Sequence, residues 1–152
     1  LANQRASAKA FFDGYKAWNI DAILAYRTPD CLHQVLPASL NRTAQTNADV
    51  TAYFKRIENT FANFTVRHLP LPMTRKRLTW SQPTVINEVH DTTQHFAIVH
   101  AKSTAMTKIG QYTNEYALTF RFTDDGKKVK HIEEFIDSKY TLDFNARLAA
   151  AP

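Results

Sequence analysis

Gln111-Tyr112-Thr113-Asn114-Glu115-Tyr116-Ala117-Leu118-Thr119-Phe120-Arg121-Phe122-Thr123, then Asp124-Asp125-Gly126, then Lys127-Lys128-Val129-Lys130-His131-Ile132-Glu133-Glu134-Phe135-Ile136, sets the architecture of the whole chain. Both arms carry aromatic and β-branched residues at a period near two, the pattern of strands. Gly126 suits the left-handed position of the turn between them. Arms this long in a small domain must twist or curve strongly. A curved hairpin cannot bury its own concave face, so other elements must cover it.

The turn length sets which side chains share that face. A three-residue loop, Asp124-Asp125-Gly126, puts Thr123 opposite Lys127, Leu118 opposite Ile132 and Tyr116 opposite Glu134. A two-residue loop places Tyr116 opposite Phe135 and turns Glu134 to the other side. Leu118 against Ile132 is a good cross-strand pair and favours the first register. Tyr112, Asn114, Tyr116, Leu118, Ile132, Glu134 and Ile136 then lie together.

A carboxyl flanked by Ile132 and Ile136 is costly to ionise when buried, so it is either protonated or paired with a cation. Either state suits acid-base chemistry. Tyr112 and Tyr116 are about 13 Å apart along one strand and would line different depths of one cavity. Their phenols can donate to a developing oxyanion. The plainer alternative leaves Glu134 in solvent and the tyrosines as ordinary strand residues.

Upstream, Thr84 to Val89 and His95 to Thr107 read as further strands, and Phe64 to Leu69 as a short one. Pro70, Pro72 and Pro83 bracket an irregular stretch around Trp80. The His95–Thr107 strand has apolar residues on both sides, which predicts an outer face covered by a second copy, a homodimer.

Before residue 62 the period is 3.6. Residues 4–18 read as a helix with Ala8, Phe11, Phe12, Tyr15 and Trp18 on one face. Asp21 can cap a short second helix, which Pro29 ends. Cys31 to Leu36 is a strand. Asn47 is a natural N-cap for a helix over about 48–61, and Asp137 or Ser138 can cap a closing helix, Lys139 to Ala149. Helices at the front and strands at the back make an α+β fold, with a ligand-sized space between the layers.

The bulk composition agrees. The 152 residues suit one domain, 1–152, with 44% hydrophobic, 12% aromatic and 22% charged residues. One cysteine, Cys31, excludes an intramolecular disulfide. Leu1-Ala2-Asn3-Gln4-Arg5 has no apolar leader and no stretch has membrane-spanning length, so a cytoplasmic protein without membrane contact is expected. The net charge of +5 is spread out; its densest run, Arg75-Lys76-Arg77, is short, and no nucleic-acid partner is expected.

Taken together, Gln111 to Tyr116, Phe120-Arg121-Phe122, the Asp125-Gly126-Lys127 turn and Ile132 to Asp137 resemble the last hairpin of SnoaL-like proteins in the NTF2-like superfamily. Arg27-Thr28-Pro29-Asp30-Cys31 and Leu36-Pro37 resemble its small fungal members of natural-product biosynthesis, in particular the cofactor-free semipinacolase and isomerase group. The resemblance implies a cone in which a curved antiparallel sheet wraps around N-terminal helices, with a C-terminal helix added. It also implies a site of two tyrosines, a glutamate and an arginine: Tyr112, Tyr116, Glu134 and Arg42, with Arg27 competing for the last place. The substrate implied is a polycyclic small molecule, rearranged without a cofactor.

His33 and His100 are further candidates, each as a base facing the cavity, with Asn114, Tyr53 and Phe12 as substrate contacts. The sequence carries no HExxH, CxxC, nucleophile elbow or phosphate loop, and metal, nicotinamide and flavin chemistry are not expected. Two other readings remain open here. One is a dehydratase or aldol-type cyclase using His33 or His100. The other is a non-catalytic binding module of the same fold.

Overall fold

The computed structural model describes residues 1–62, 83–107 and 109–151. The expected strand Phe64 to Leu69 and the stretch around Trp80 lie outside them. Five strands form one sheet: β1 Arg27–Leu36, β2 Thr84–Asp91, β3 Phe96–Thr107, β4 Gly110–Phe122 and β5 Val129–Ile136. Four α-helices accompany it: α1 Ala2–Ala17, α2 Ile20–Ala25, α3 Asn47–Ala62 and α4 Ser138–Ala150. The strand order is β1-β5-β4-β3-β2.

The sheet is curved and the fold is α+β, but it is not wholly antiparallel. β1 runs parallel to β5, with His33 beside Ile132 and Val35 beside Glu134. Parallel neighbours need a long crossover, and here everything from α3 to β4 intervenes. β1 also starts earlier than expected. Pro29 does not end α2; it sits inside β1, where pairing slips between Arg27 and Leu32. A proline with no N–H fits such an irregularity on an edge strand.

Two helix starts differ from the expected caps. Asn19, not Asp21, caps α2 by accepting from the Ala22 N–H at 3.0 Å. Thr46, not Asn47, caps α3. Asp49 Oδ2 accepts from the Thr46 N–H at 2.9 Å and its hydroxyl at 2.7 Å, and Thr46 Oγ1 accepts from the Asp49 N–H at 3.2 Å. The Thr46 bonds hold the Asp49 carboxyl below its ordinary value. Asn47 is thereby free to bond elsewhere. Asp137 caps α4 as expected, accepting from the Tyr140 N–H at 3.0 Å.

The hairpin register is the most instructive correction. Tyr116 lies opposite Ile136, Leu118 opposite Glu134 and Phe120 opposite Ile132, two residues from the expected pairing. The loop is one residue longer, because the Thr123 N–H bonds the Lys128 carbonyl at 2.9 Å. A second residue is added by a bulge: Arg121 pairs with His131 but Phe122 with Val129, leaving Lys130 extra. One added residue would turn Glu134 outward; two restore its side. Glu134 therefore shares the concave face with Tyr112, Asn114, Tyr116, Leu118, Ile132 and Ile136.

α1 closes that face. Phe11 and Phe12 meet Phe120 edge-on, with ring centroids 5.2 and 6.4 Å apart. Leu118, Phe120, Phe122, Val99 and Ile132 are fully buried around them. The start of α1 is pinned to the hairpin loop, since Ser7 Oγ donates to the Gly126 carbonyl at 2.8 Å and Asn3 Nδ2 to the Asp125 carbonyl at 2.7 Å. Gly126, at φ 71°, takes the left-handed turn position. The core thus fills one end of the concave face and leaves the Tyr112–Tyr116 end polar.

Gly14 lets α2 approach α1. A Cβ there would come within 2.8 Å of Ile23 Cγ1 and 3.0 Å of its backbone nitrogen. Gly14→Ala should gain up to about 1 kcal/mol of helix propensity and lose about 1–3 kcal/mol to overpacking. Urea unfolding should show a net loss. A gain near the full propensity value would contradict this packing.

Candidate active site

His33 and Glu134 meet on adjacent strands. In the parallel β1–β5 register each lies beside the other's neighbour on the concave face. His33 Nε2 is 3.0 Å from Glu134 Oε2, and the side chains are 4% and 20% exposed. His33 is held at both backbone groups, its N–H to the Gln45 carbonyl (2.9 Å) and its carbonyl to the Gln45 N–H (2.8 Å). Its Nδ1 is buried with no hydrogen-bond partner. A carboxylate at Nε2 favours the tautomer with hydrogen there, which leaves the Nδ1 lone pair unused.

Phenols surround this pair. Tyr116 is Glu134's diagonal neighbour across the ladder, about 7 Å away between backbones. Its hydroxyl shares a hydrogen with Ser103 Oγ at 2.7 Å. Burial, then Tyr112 and the Glu134 charge, push the Tyr116 phenol far above its ordinary range. Burial and Glu134 do the same to Tyr15, from α1. Tyr53, from α3, is also raised by desolvation and Glu134, while Arg42 pulls it down. Tyr53 is 38% exposed, which puts it at the rim. These phenols stay protonated at neutral pH and act as donors.

The expected site residues therefore divide. Glu134, Tyr116, Tyr112 and His33 come together on the concave face, with Tyr53 at the edge. Arg42 is exposed in the segment after β1, and its charge reaches Tyr53. Arg27 is buried at the start of β1. His100 is displaced: β3 turns it to the outer face, where its Nε2 pairs with Glu115 Oε1 at 2.5 Å and its side chain is 43% exposed. Phe12 is a core residue, 4% exposed.

Asn114 is buried in the same region but has no capacity left for a substrate. Its Nδ2 donates to Tyr112 Oη (2.6 Å) and Thr141 Oγ1 (2.8 Å), and its Oδ1 accepts from the Glu115 (2.7 Å) and Asp137 (3.2 Å) N–H groups. It ties α4 to β4. Sequence reasoning missed Tyr15 and Ser103. Tyr15 hid in a helical apolar stripe, and Ser103 in a strand whose inward side could not be told apart. Among the described residues no group of three or more His, Cys, Asp or Glu side chains is placed to hold a metal.

Tyr15, Tyr26, Tyr53 and Tyr116 all have raised folded values. An unfolded phenol ionises near pH 10. Above that pH the unfolded chain gives up these protons first, so stability should fall as pH rises. Phenolate absorbance of the folded protein should lag that of the unfolded chain. Coincident titrations would refute the burial of these phenols.

No protein-family model matches the chain. Monooxygenase AacuP of Aspergillus aculeatus is 30% identical over 149 residues, covering 98% of this chain and 91% of that protein. Austinoid biosynthesis cluster protein F of Aspergillus calidoustus is 29% identical, over 95% of this chain and 75% of that one. Among solved structures, BvnE pinacolase from Penicillium brevicompactum superposes with a TM-score of 0.82 at 22% identity, covering 98% of this chain and 96% of that one. PrhC from Penicillium brasilianum gives 0.81 at 25% identity, over 98% and 89%. With this fold and this similarity along nearly its whole length, the chain belongs to the NTF2-like, SnoaL-type family of small fungal biosynthetic-cluster proteins.

Proposed function

We propose that this protein is a cofactor-independent isomerase or cyclase that rearranges a polycyclic secondary metabolite, with the His33–Glu134 pair as its acid-base group. The observation that carries this reading is a carboxylate hydrogen-bonded to a buried imidazole and faced by phenols that remain protonated. Such a pair can take up one further proton in a desolvated setting and return it to the substrate without solvent. The similarity to a structure named as a pinacolase supports the same class of chemistry.

For a semipinacol rearrangement of an indole epoxide the steps balance within the substrate. Having taken up one proton beyond the resting carboxylate–imidazole state, the pair gives that proton to the epoxide oxygen as one C–O bond breaks. A neighbouring carbon migrates with its bonding electrons to the cationic centre. The oxygen lone pair closes the carbonyl, and the hydroxyl proton returns to Glu134. Product and substrate have the same mass. Tyr116 and Tyr112 hold the substrate oxygens, and Arg42 with Tyr53 stands at the entrance. Orienting one conformer away from water is the larger part of the catalysis. The proposal extends to a cytoplasmic homodimer joined through the outer sheet face, where Ile98 and Phe135 are 47% and 51% exposed.

Glu134→Gln keeps the shape of the pair and should fold normally. Its turnover of a 2,3-epoxyindole should fall by about 10²–10⁴, followed by mass spectrometry of an unchanged-mass product. His33→Asn should show a similar loss. Normal turnover by Glu134→Gln removes Glu134 from the mechanism. The name monooxygenase on AacuP favours a second reading, oxygen insertion. A product heavier by one oxygen atom would support that reading instead.

A further inference from the structure

Among the described residues Arg27 is a buried cation without a counter-ion. It is 3% exposed, and none of the ion pairs among the described residues includes it. Its Nε donates to Asn47 Oδ1 at 2.6 Å and one Nη to the Cys31 carbonyl at 3.4 Å. The other, Nη1, is buried with no acceptor. Asn47 is the first residue of α3, so the guanidinium also lies against the positive end of that helix. The acids nearest in sequence to these partners, Asp30 and Asp49, are exposed, and Asp49 is engaged by Thr46. Glu58 begins about 16 Å further along α3, and residues 63–82 contain no Asp or Glu.

A guanidinium cannot shed its proton, and an uncompensated buried charge is strongly unfavourable. A second donor stands unused beside it. The Tyr26 hydroxyl is buried with no acceptor for its hydrogen, beside the guanidinium, whose charge and hydrogen bond pull its phenol down against the larger upward push of burial. Phe11 lies between this corner and the acid-base pair, its ring centroid 5.6 Å from that of Tyr26 and 6.4 Å from that of His33. The two ends of the buried polar region are thus opposite in character: an acid-base pair at one, unused donors and a fixed positive charge at the other.

We propose that Arg27 and Tyr26 form an oxyanion-binding pole, which takes a carboxylate, enolate or phenolate oxygen of the substrate while Glu134 and His33 handle the proton. The pole rests on the isomerase reading only for the claim that the anion belongs to the substrate.

Benzoate is the probe, with benzyl alcohol as its uncharged counterpart, and calorimetry with wild type and the Arg27→Met, Tyr26→Phe and Glu134→Gln variants reads binding. Benzoate should bind wild type and benzyl alcohol should not. Arg27→Met should weaken benzoate at least about tenfold, and Tyr26→Phe about threefold to tenfold. Glu134→Gln should bind it as tightly as wild type or more so. No benzoate binding by wild type, equal binding of the alcohol, or undiminished binding by Arg27→Met overturns the pole. Should Arg27→Met fail to fold, the ¹⁵N resonance of Arg27 Nε in wild type decides. A shift on benzoate addition supports the pole, and an unmoved signal refutes it. Benzoate binding without isomerisation of any substrate would overturn the isomerase reading alone, and isomerisation without benzoate binding would overturn the pole alone.

Discussion

A carboxylate and an imidazole lie side by side on adjacent parallel strands, and much of the molecule is arranged to keep them there. Removing one partner of a buried hydrogen bond leaves the other unsatisfied and costs about 1–3 kcal/mol. The pair therefore constrains the strands that carry it. β1 must run beside β5 and in the same direction, which demands the long crossover through α3 and the meander. β5 must keep its bulge at Lys130, because the bulge restores Glu134 to the concave side after the longer loop has turned it away.

The concave face is zoned as a consequence. Toward the hairpin loop it is aromatic, with Phe11, Phe12 and Phe120 in mutual ring contact and Phe122 against Phe120. Toward the other end it carries hydroxyls, an amide and the acid-base pair. Asn114 marks the boundary on the α4 side, saturated by four hydrogen bonds that fasten the closing helix. The apolar zone supplies the burial that stabilises the fold. The polar zone is tolerated because its buried groups largely satisfy one another; His33 Nδ1 there, and Arg27 Nη1 and Tyr26 Oη beside the aromatic zone, are among the exceptions.

Local signals in the sequence reached some of this and missed the rest for identifiable reasons. Helix periodicity and the period-two arms gave the α+β order and most element boundaries within a few residues. The inward orientation of Glu134 was legible only because two one-residue differences cancelled, one in the loop and one in the bulge. His100 was misplaced because β3 carries Ile98 on one side and Val99 on the other, so alternation alone does not say which faces in. Pairing with β4 settles it. The parallel placement of β1, and with it the meeting of His33 with Glu134, is a contact across 101 residues that no local pattern encodes. Asn47 looked like a cap because its type and position suit one; Thr46 and Asp49 perform that task and leave Asn47 to Arg27.

His33 donates its Nε2 hydrogen to Glu134 where both side chains are largely shielded from water. Long-range ¹H–¹⁵N correlation spectra of the imidazole rings report which nitrogen carries hydrogen. The account predicts a single His33 tautomer, protonated at Nε2, that turns into a mixture when Glu134 is replaced by Ala. A wild-type His33 that is protonated at Nδ1, or that averages between tautomers as a solvent-exposed ring does, would contradict it.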